Sequence, residues 1–175
     1  MSAAAIETWH ATARPARPLR LVEPVGSRFE EVWFDGVDDM LADARARLQR
    51  LSPRAAYQAV LWGRALLVDV RPAAQRREQG DLDPRLGALV LERVDLEWRL
   101  DPRSPSRIEA ASYELPVVVV DAEGTTSSLA ADTLQRLGLT AATDVVGGFA
   151  AWRRQGMPVT APVAAAVSPG GAARA

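Results

Sequence analysis

The chain of 175 residues has room for one domain with a hydrophobic core and modest extensions at either end. Its formal charge of -1 leaves no electrostatic footprint for a nucleic-acid backbone or an anionic membrane, so neither is expected as a partner. All 21 basic residues are arginine and cysteine is absent, which removes Schiff-base and phosphate-loop lysines, disulfides, thiolate metal sites and thiol catalysis.

Residues 1–35 read as a flexible N-terminal extension. MSAAAIETWHATARPARPLRLVEPVG has no continuous apolar core and is interrupted early by Glu7, so a secretory signal is not expected there. His10, the only histidine, and the arginines at 14, 17 and 20 read as solvated, whereas Trp9 and Trp33 read as packing of the extension against the domain. The longest apolar runs inside the domain fall far short of the roughly 20 residues that span a bilayer, so a cytoplasmic location is expected.

Residues 36–51 read as one amphipathic docking helix, with Val37, Met40, Leu41, Ala44, Leu48 and Leu51 near helical spacing. In SPRAAYQAVLWG, Ser52 caps a second helix, Pro53 takes its first position and Gly63 stops it. ALLVDVR supplies a strand over 65–70, PAAQRREQ a short helix over 72–79 ended by Gly80, and GALVLER a strand around 87–92. The stretch from Val94 to Pro116 mixes a helical turn with a proline-rich loop. VVVV at 117–120 is a buried strand, SLAADTLQRLGL a helix over about 127–137, ATDVVGG a short final strand, and GFAAWRRQGMPV a closing helix.

Strands that are apolar on both faces and alternate with helices argue for an α/β fold, a parallel sheet of about five strands with helices on both faces. Residues 52–159 form the domain, and 160–175, rich in alanine, proline and glycine, read as a disordered tail.

The segments SPRAAYQAV, LLVDVRPAAQRREQGDL, VVVVDAEGTTSSLAADTLQRLG and VVGGFAAWRRQGMPV, in this order and spacing, resemble the rhodanese-like domain family of the sulfurtransferase superfamily. One departure is DLDPRLGA, which stands where the family continues into a His-Ile-Pro-Gly segment. A second lies at the loop after the third strand. Active members carry Cys-x-x-Gly-x-x-Ser there, because a thiolate must attack sulfane sulfur and hold it as a persulfide. The matching positions in this chain are Asp121, Ala122, Glu123, Gly124, Thr125, Thr126 and Ser127, so Asp121 occupies the cysteine position.

A carboxylate cannot carry a stable persulfide, and the resemblance therefore implies an inactive homologue with no catalytic residue. What it leaves is a loop of inward-pointing amides filled by the chain's own anion, each charge-assisted hydrogen bond being worth on the order of 1.5–3 kcal/mol. Glu123 adds negative charge, so binding of a small external anion is not expected. The expected role is a noncatalytic binding or regulatory module related to sulfur metabolism, with a protein partner and neither cofactor nor metal.

The same stretch also resembles the first motif of haloacid dehalogenase-type phosphatases, in which Asp121 would be an aspartate nucleophile and Glu123 its acid-base partner beside Mg²⁺. Against that stand the absence of lysine, the few carboxylates downstream (Asp132 and Asp144), and the position of the motif late in the chain.

Among the remaining residues, Asp69 and Arg71 are expected to support the site structurally, and Arg76, Arg77 and Glu78 to form a solvated helix face. Trp62, Trp98 and Trp152 are expected in core or edge positions. Gly147 and Gly148 read as a tight turn, and the hydroxyls of Thr125, Thr126, Ser127 and Ser128 as helix caps.

Overall fold

The computed structural model describes residues 34–162. The expectations for Trp9, His10, the early arginines, Trp33 and the tail beyond Pro162 lie outside the described residues.

Four parallel strands form the sheet: β1 (Leu66–Asp69), β2 (Leu89–Val90), β3 (Val117–Val120) and β4 (Thr143–Asp144), in the order β2-β1-β3-β4. The register pairs Leu66 with Val117 through to Asp69 with Val120, so β1 and β3 end at the same level. The expected count of about five is corrected to four strands, with one parallel bridge extending the edge beyond β4. Leu51 pairs in parallel with Val145 outside β4, its N–H donating to the Asp144 carbonyl at 3.0 Å and its carbonyl accepting from Val146 N at 2.8 Å.

Side chains alternate across the sheet. Val68, Val70, Val117 and Val119 face one layer, where they meet Leu96 and Leu100 of α4 (Leu96–Leu100) and Ala130, Ala131 and Leu134 of α5 (Thr126–Arg136). Leu67, Val118 and Val120 face the other, where they meet Ala56 and Val60 of α2 (Pro53–Leu61) and Phe149 and Trp152 of α6 (Gly148–Arg154). All four valines of β3 are buried, and burying one valine fully is worth about 1.5–3 kcal/mol, so this short strand anchors both layers.

The docking helix is shorter than expected: α1 spans Val37–Arg47, and Leu48 is already extended with φ -88 and ψ 137. The reason is tertiary, because Leu48 joins the core and Leu51 must run alongside β4. Val37 and Met40, assigned to the apolar face by spacing, are exposed at 68% and 43%, while Leu41 and Ala44 carry the contact with α5. The next boundary follows the sequence closely, since Ser52 Oγ accepts from Ala55 N at 3.2 Å and Pro53 opens α2.

α3 (Ala73–Gln79) ends at Gly80, and β2 shrinks from the expected 87–92 to two residues. Trp152 is buried, its indole N–H donating to the Pro158 carbonyl, whereas Trp62 and Trp98 are exposed at 59% and 66%, contrary to the expectation of core or edge packing. Trp62 follows the last residue of α2 and carries the Arg64 guanidinium over its ring. Trp98 faces away from the Leu96 and Leu100 stripe of α4. No helix of the described residues is long and apolar enough to cross a membrane.

Candidate functional site

In this sheet β2 and β3 lie on opposite sides of β1, so the chain reverses its direction of growth between β1 and β3. Open α/β sheets keep their ligand crevices at the carboxyl ends of the strands flanking such a reversal. The segments that leave β1 and β3, Val70–Gln79 and Asp121–Thr126, enclose a cavity of about 440 Å³ at that place.

Asp121 sits at its floor, 6% exposed. Its Oδ1 accepts from Gly124 N at 2.5 Å and from Ser127 Oγ at 3.0 Å, and its Oδ2 accepts from Thr126 N at 2.8 Å and Thr125 N at 3.2 Å. The carboxylate thus takes the orphan amides that open α5, doing for this helix what an N-cap side chain does, from four residues upstream of Thr125. The hydroxyls expected as caps act otherwise. Ser127 and Ser128 are donors to carboxylates, and the Thr125 side chain accepts no amide of α5. Glu123, Thr125 and Thr126 are exposed around the mouth.

Gly147 and Gly148 make the tight turn expected of them, at φ 70 and 56, and they also seat the loop. A Cβ on Gly148 would lie 2.6 Å from both the Asp121 carbonyl oxygen and Gly124 N. That close approach lets Phe149 N and Ala150 N donate to the carbonyls of Asp121 and Ala122 at 2.8 and 2.9 Å, so the first turn of α6 is satisfied by the loop itself.

Asp69 and Arg71 form a buried pair beside the cavity. Arg71 Nη2 donates to Asp69 Oδ2 at 2.7 Å and Nε to Oδ1 at 3.0 Å, while Nη1 reaches the Gly80 carbonyl at 3.1 Å. The guanidinium lies 3.5 Å from the centroid of the Phe149 ring. With its donors on partners that join β1 to α3 and its face on α6, Arg71 ties three elements together. Arg77 and Glu78 are exposed as expected, but Arg76 is half-buried and bonds Asp81 at 3.1 Å.

The spacing of motifs did not reveal a second group of residues behind the loop. Asp144, fully buried at the end of β4, takes Arg50 Nε at 2.8 Å and Nη2 at 2.9 Å, with Ser128 Oγ at 2.7 Å and Ser127 Oγ at 3.2 Å. Arg45 and Arg50 both donate to the Gly124 carbonyl, at 2.6 and 3.2 Å. The one signal available was Asp144 itself, a charge inside the apolar run ATDVV, which a buried strand tolerates only with a partner. Asp132, also buried, pairs with Arg47 at 2.7 Å, and this bond together with that of Asp43 holds the Arg47 guanidinium above its ordinary range.

Both Asp121 oxygens are engaged by the loop, and among the described residues no three His, Cys, Asp or Glu side chains are grouped to hold a metal ion. The arrangement of a haloacid dehalogenase-type site is therefore not found at Asp121 and Glu123, and the comparisons with known proteins give that alternative no support.

The family model for the rhodanese-like domain matches residues 52–155. Among solved structures, a protein of unknown function from Rhodopseudomonas palustris, described as a "Possible Tyrosine Phosphatase", is 28% identical with a TM-score of 0.64, over 75% of this chain and 98% of that one. The polysulfide-sulfur transferase homodimer from Wolinella succinogenes is 27% identical with a TM-score of 0.57, over 69% and 83%. A human single-domain sulfurtransferase, 23% identical over 61% and 96% with a TM-score of 0.52, shares the fold. No curated protein matches.

Proposed function

The chain belongs to the rhodanese-like domain family, and from that premise we propose that it is a noncatalytic binding or regulatory module related to sulfur metabolism, acting on a protein partner. The observation that carries this reading is the Asp121 carboxylate. It stands at the family's cysteine position and accepts the amides of Gly124, Thr125 and Thr126 together with the Ser127 hydroxyl. A carboxylate oxygen offers no sulfur to attack a sulfane donor, and no cysteine elsewhere in the sequence replaces it. The likeness to a polysulfide-sulfur transferase supports the link to sulfur chemistry.

The self-filled loop disfavours small anions: its amides already carry one negative charge, and Glu123 at the rim adds another. The mouth that remains is polar, with Glu123, Thr125 and Thr126 on one side and Gln75 and Arg93 on the other, and it suits a complementary surface on another protein. Two measurements test the proposal. Purified protein is expected to transfer no sulfur from thiosulfate to cyanide, and turnover by the unaltered chain overturns the noncatalytic reading. Quantitative affinity capture is expected to retain a defined protein on the unaltered chain and to lose it on a Glu123→Arg, Thr126→Arg double variant; equal retention by both moves the partner away from this mouth.

A further inference from the structure

The Asp121 loop is gripped from behind by a segment that precedes the residues matched by the family model. Arg45, in the last turn of α1, donates from Nη2 to the Gly124 carbonyl at 2.6 Å and from Nε to Ser128 Oγ at 3.3 Å. Arg50, in the extended link after α1, adds a bond to the same carbonyl at 3.2 Å. Gly124 is also the residue whose N–H meets Asp121 Oδ1 at 2.5 Å. One glycine therefore has its N–H on the carboxylate that fills the loop and its C=O on two guanidinium groups of the N-terminal segment.

The apolar attachment of that segment begins only at Leu41. α1 has 11 residues, too few for an isolated helix to persist in water, so its folding and its docking are one event. The docked face consists of Leu41 and Ala44, continued by Leu48 just beyond the helix, with Arg45 on Gly124 and Ser128 and the Arg47–Asp132 pair, in which Arg47 is 40% exposed, and the first turn leaves Val37 and Met40 in solvent. Few buried apolar contacts and exposed backbone mark the elements that open first.

We propose that α1 is a latch on the Asp121 loop. Docked, it holds the Gly124 carbonyl through Arg45 and keeps the loop amides turned onto Asp121; undocked, it leaves that carbonyl to the longer Arg50 bond alone and loosens those amides for an outside ligand. This rests on the reading of the loop as the binding element and adds how it is regulated. The coupling is reciprocal, so whatever binds the opened loop also weakens the docking of α1.

Amide hydrogen exchange by NMR on the full chain tests the latch with two variants. Arg45→Ala removes the shorter of the two guanidinium bonds to Gly124 and leaves the apolar face of α1 intact. The amides of Gly124, Thr125 and Thr126 are expected to exchange faster on the order of tenfold, the loss of one charge-assisted bond, with Val118 and Val119 unchanged. Arg47→Ala weakens docking without touching the loop, and is expected to raise exchange in α1 and at the same three loop amides together. Unchanged loop exchange in either variant, or a rise that β3 shares equally, overturns the latch. Should Arg45→Ala fail to fold, Arg47→Ala decides alone. No partner enters this readout, so its failure leaves the binding-module reading standing, and sulfur transfer by the unaltered chain removes that reading without altering the exchange result.

Discussion

Asp121 and Asp144, which follow or end different strands, are joined through one hydroxyl: Ser127 Oγ lies 3.0 Å from Asp121 Oδ1 and 3.2 Å from Asp144 Oδ2. A hydroxyl has one proton to give. Asp144 already holds the Arg50 guanidinium and the Ser128 hydroxyl, so the Ser127 proton serves Asp121, at the shorter distance. Ser127→Ala is expected to lower stability by about 1–3 kcal/mol, the cost of withdrawing a donor from a buried acceptor, read as a lower urea midpoint. An unchanged midpoint would show that the amides alone hold the carboxylate.

Arg50→Ala should be costlier, because it leaves Asp144 at 0% exposure without its guanidinium. Removing one partner of a buried ion pair costs about 3–5 kcal/mol, and the 18% exposure of the Arg50 side chain puts the expectation at the lower end. Adding Asp144→Asn to Arg50→Ala should recover part of the loss, since the stranded charge is gone. A double variant as unstable as the sum of the two single ones would speak against the coupling.

Arg71→Lys is not a conservative change. A lysine cannot span Asp69 and the Gly80 carbonyl while stacking on Phe149, so a loss of about 2–4 kcal/mol is expected in chemical denaturation, comparable with breaking a buried pair. Retention of near-native stability would mean that Arg71 serves the cavity and not the scaffold.

Asp121→Cys returns the family's nucleophile to a loop that still presents the amides of Gly124, Thr125 and Thr126. Those amides and the start of α5 favour a thiolate, and persulfide formation with thiosulfate is expected, detected by mass spectrometry as one added sulfur. A stable, folded variant that forms no persulfide would show that Glu123 and the altered rim exclude the donor.

Outside the site, the Arg85 guanidinium and backbone N–H beside Asp83 hold its carboxyl at about 2, below its ordinary value of 3.8. A lowered carboxyl contributes stability that is present above the ordinary value and is lost as pH falls through about 2. Arg85→Ala is expected to move the Asp83 titration, followed by carboxyl carbon NMR, back toward 3.8; no movement would put the cause elsewhere.

The sequence by itself determined the family, the layered α/β architecture and the place of the loop. These rest on local patterns: a run of four valines with no polar face, Ser52 and Pro53 opening α2, Gly80 closing α3, and the glycine pair that opens α6. It also determined that the persulfide position holds a carboxylate, because a single residue identity settles that. Only the tertiary structure decided what surrounds the carboxylate. Arg45 and Gly124 are 79 positions apart, and Arg50 and Asp144 are 94 apart. Periodicity reports which side of an element is buried and says nothing of which distant charge will meet it. For the same reason helical spacing ran α1 on to Leu51, and the general tendency of large aromatic side chains to bury put Trp62 and Trp98 in core or edge positions. The bridge between Leu51 and Val145 ended the first, while Trp62 falls just past the end of α2 and Trp98 on the face of α4 opposite Leu96 and Leu100. The backbone of the loop is local chemistry, whereas the guanidinium contacts behind it form only when the whole chain has folded around them.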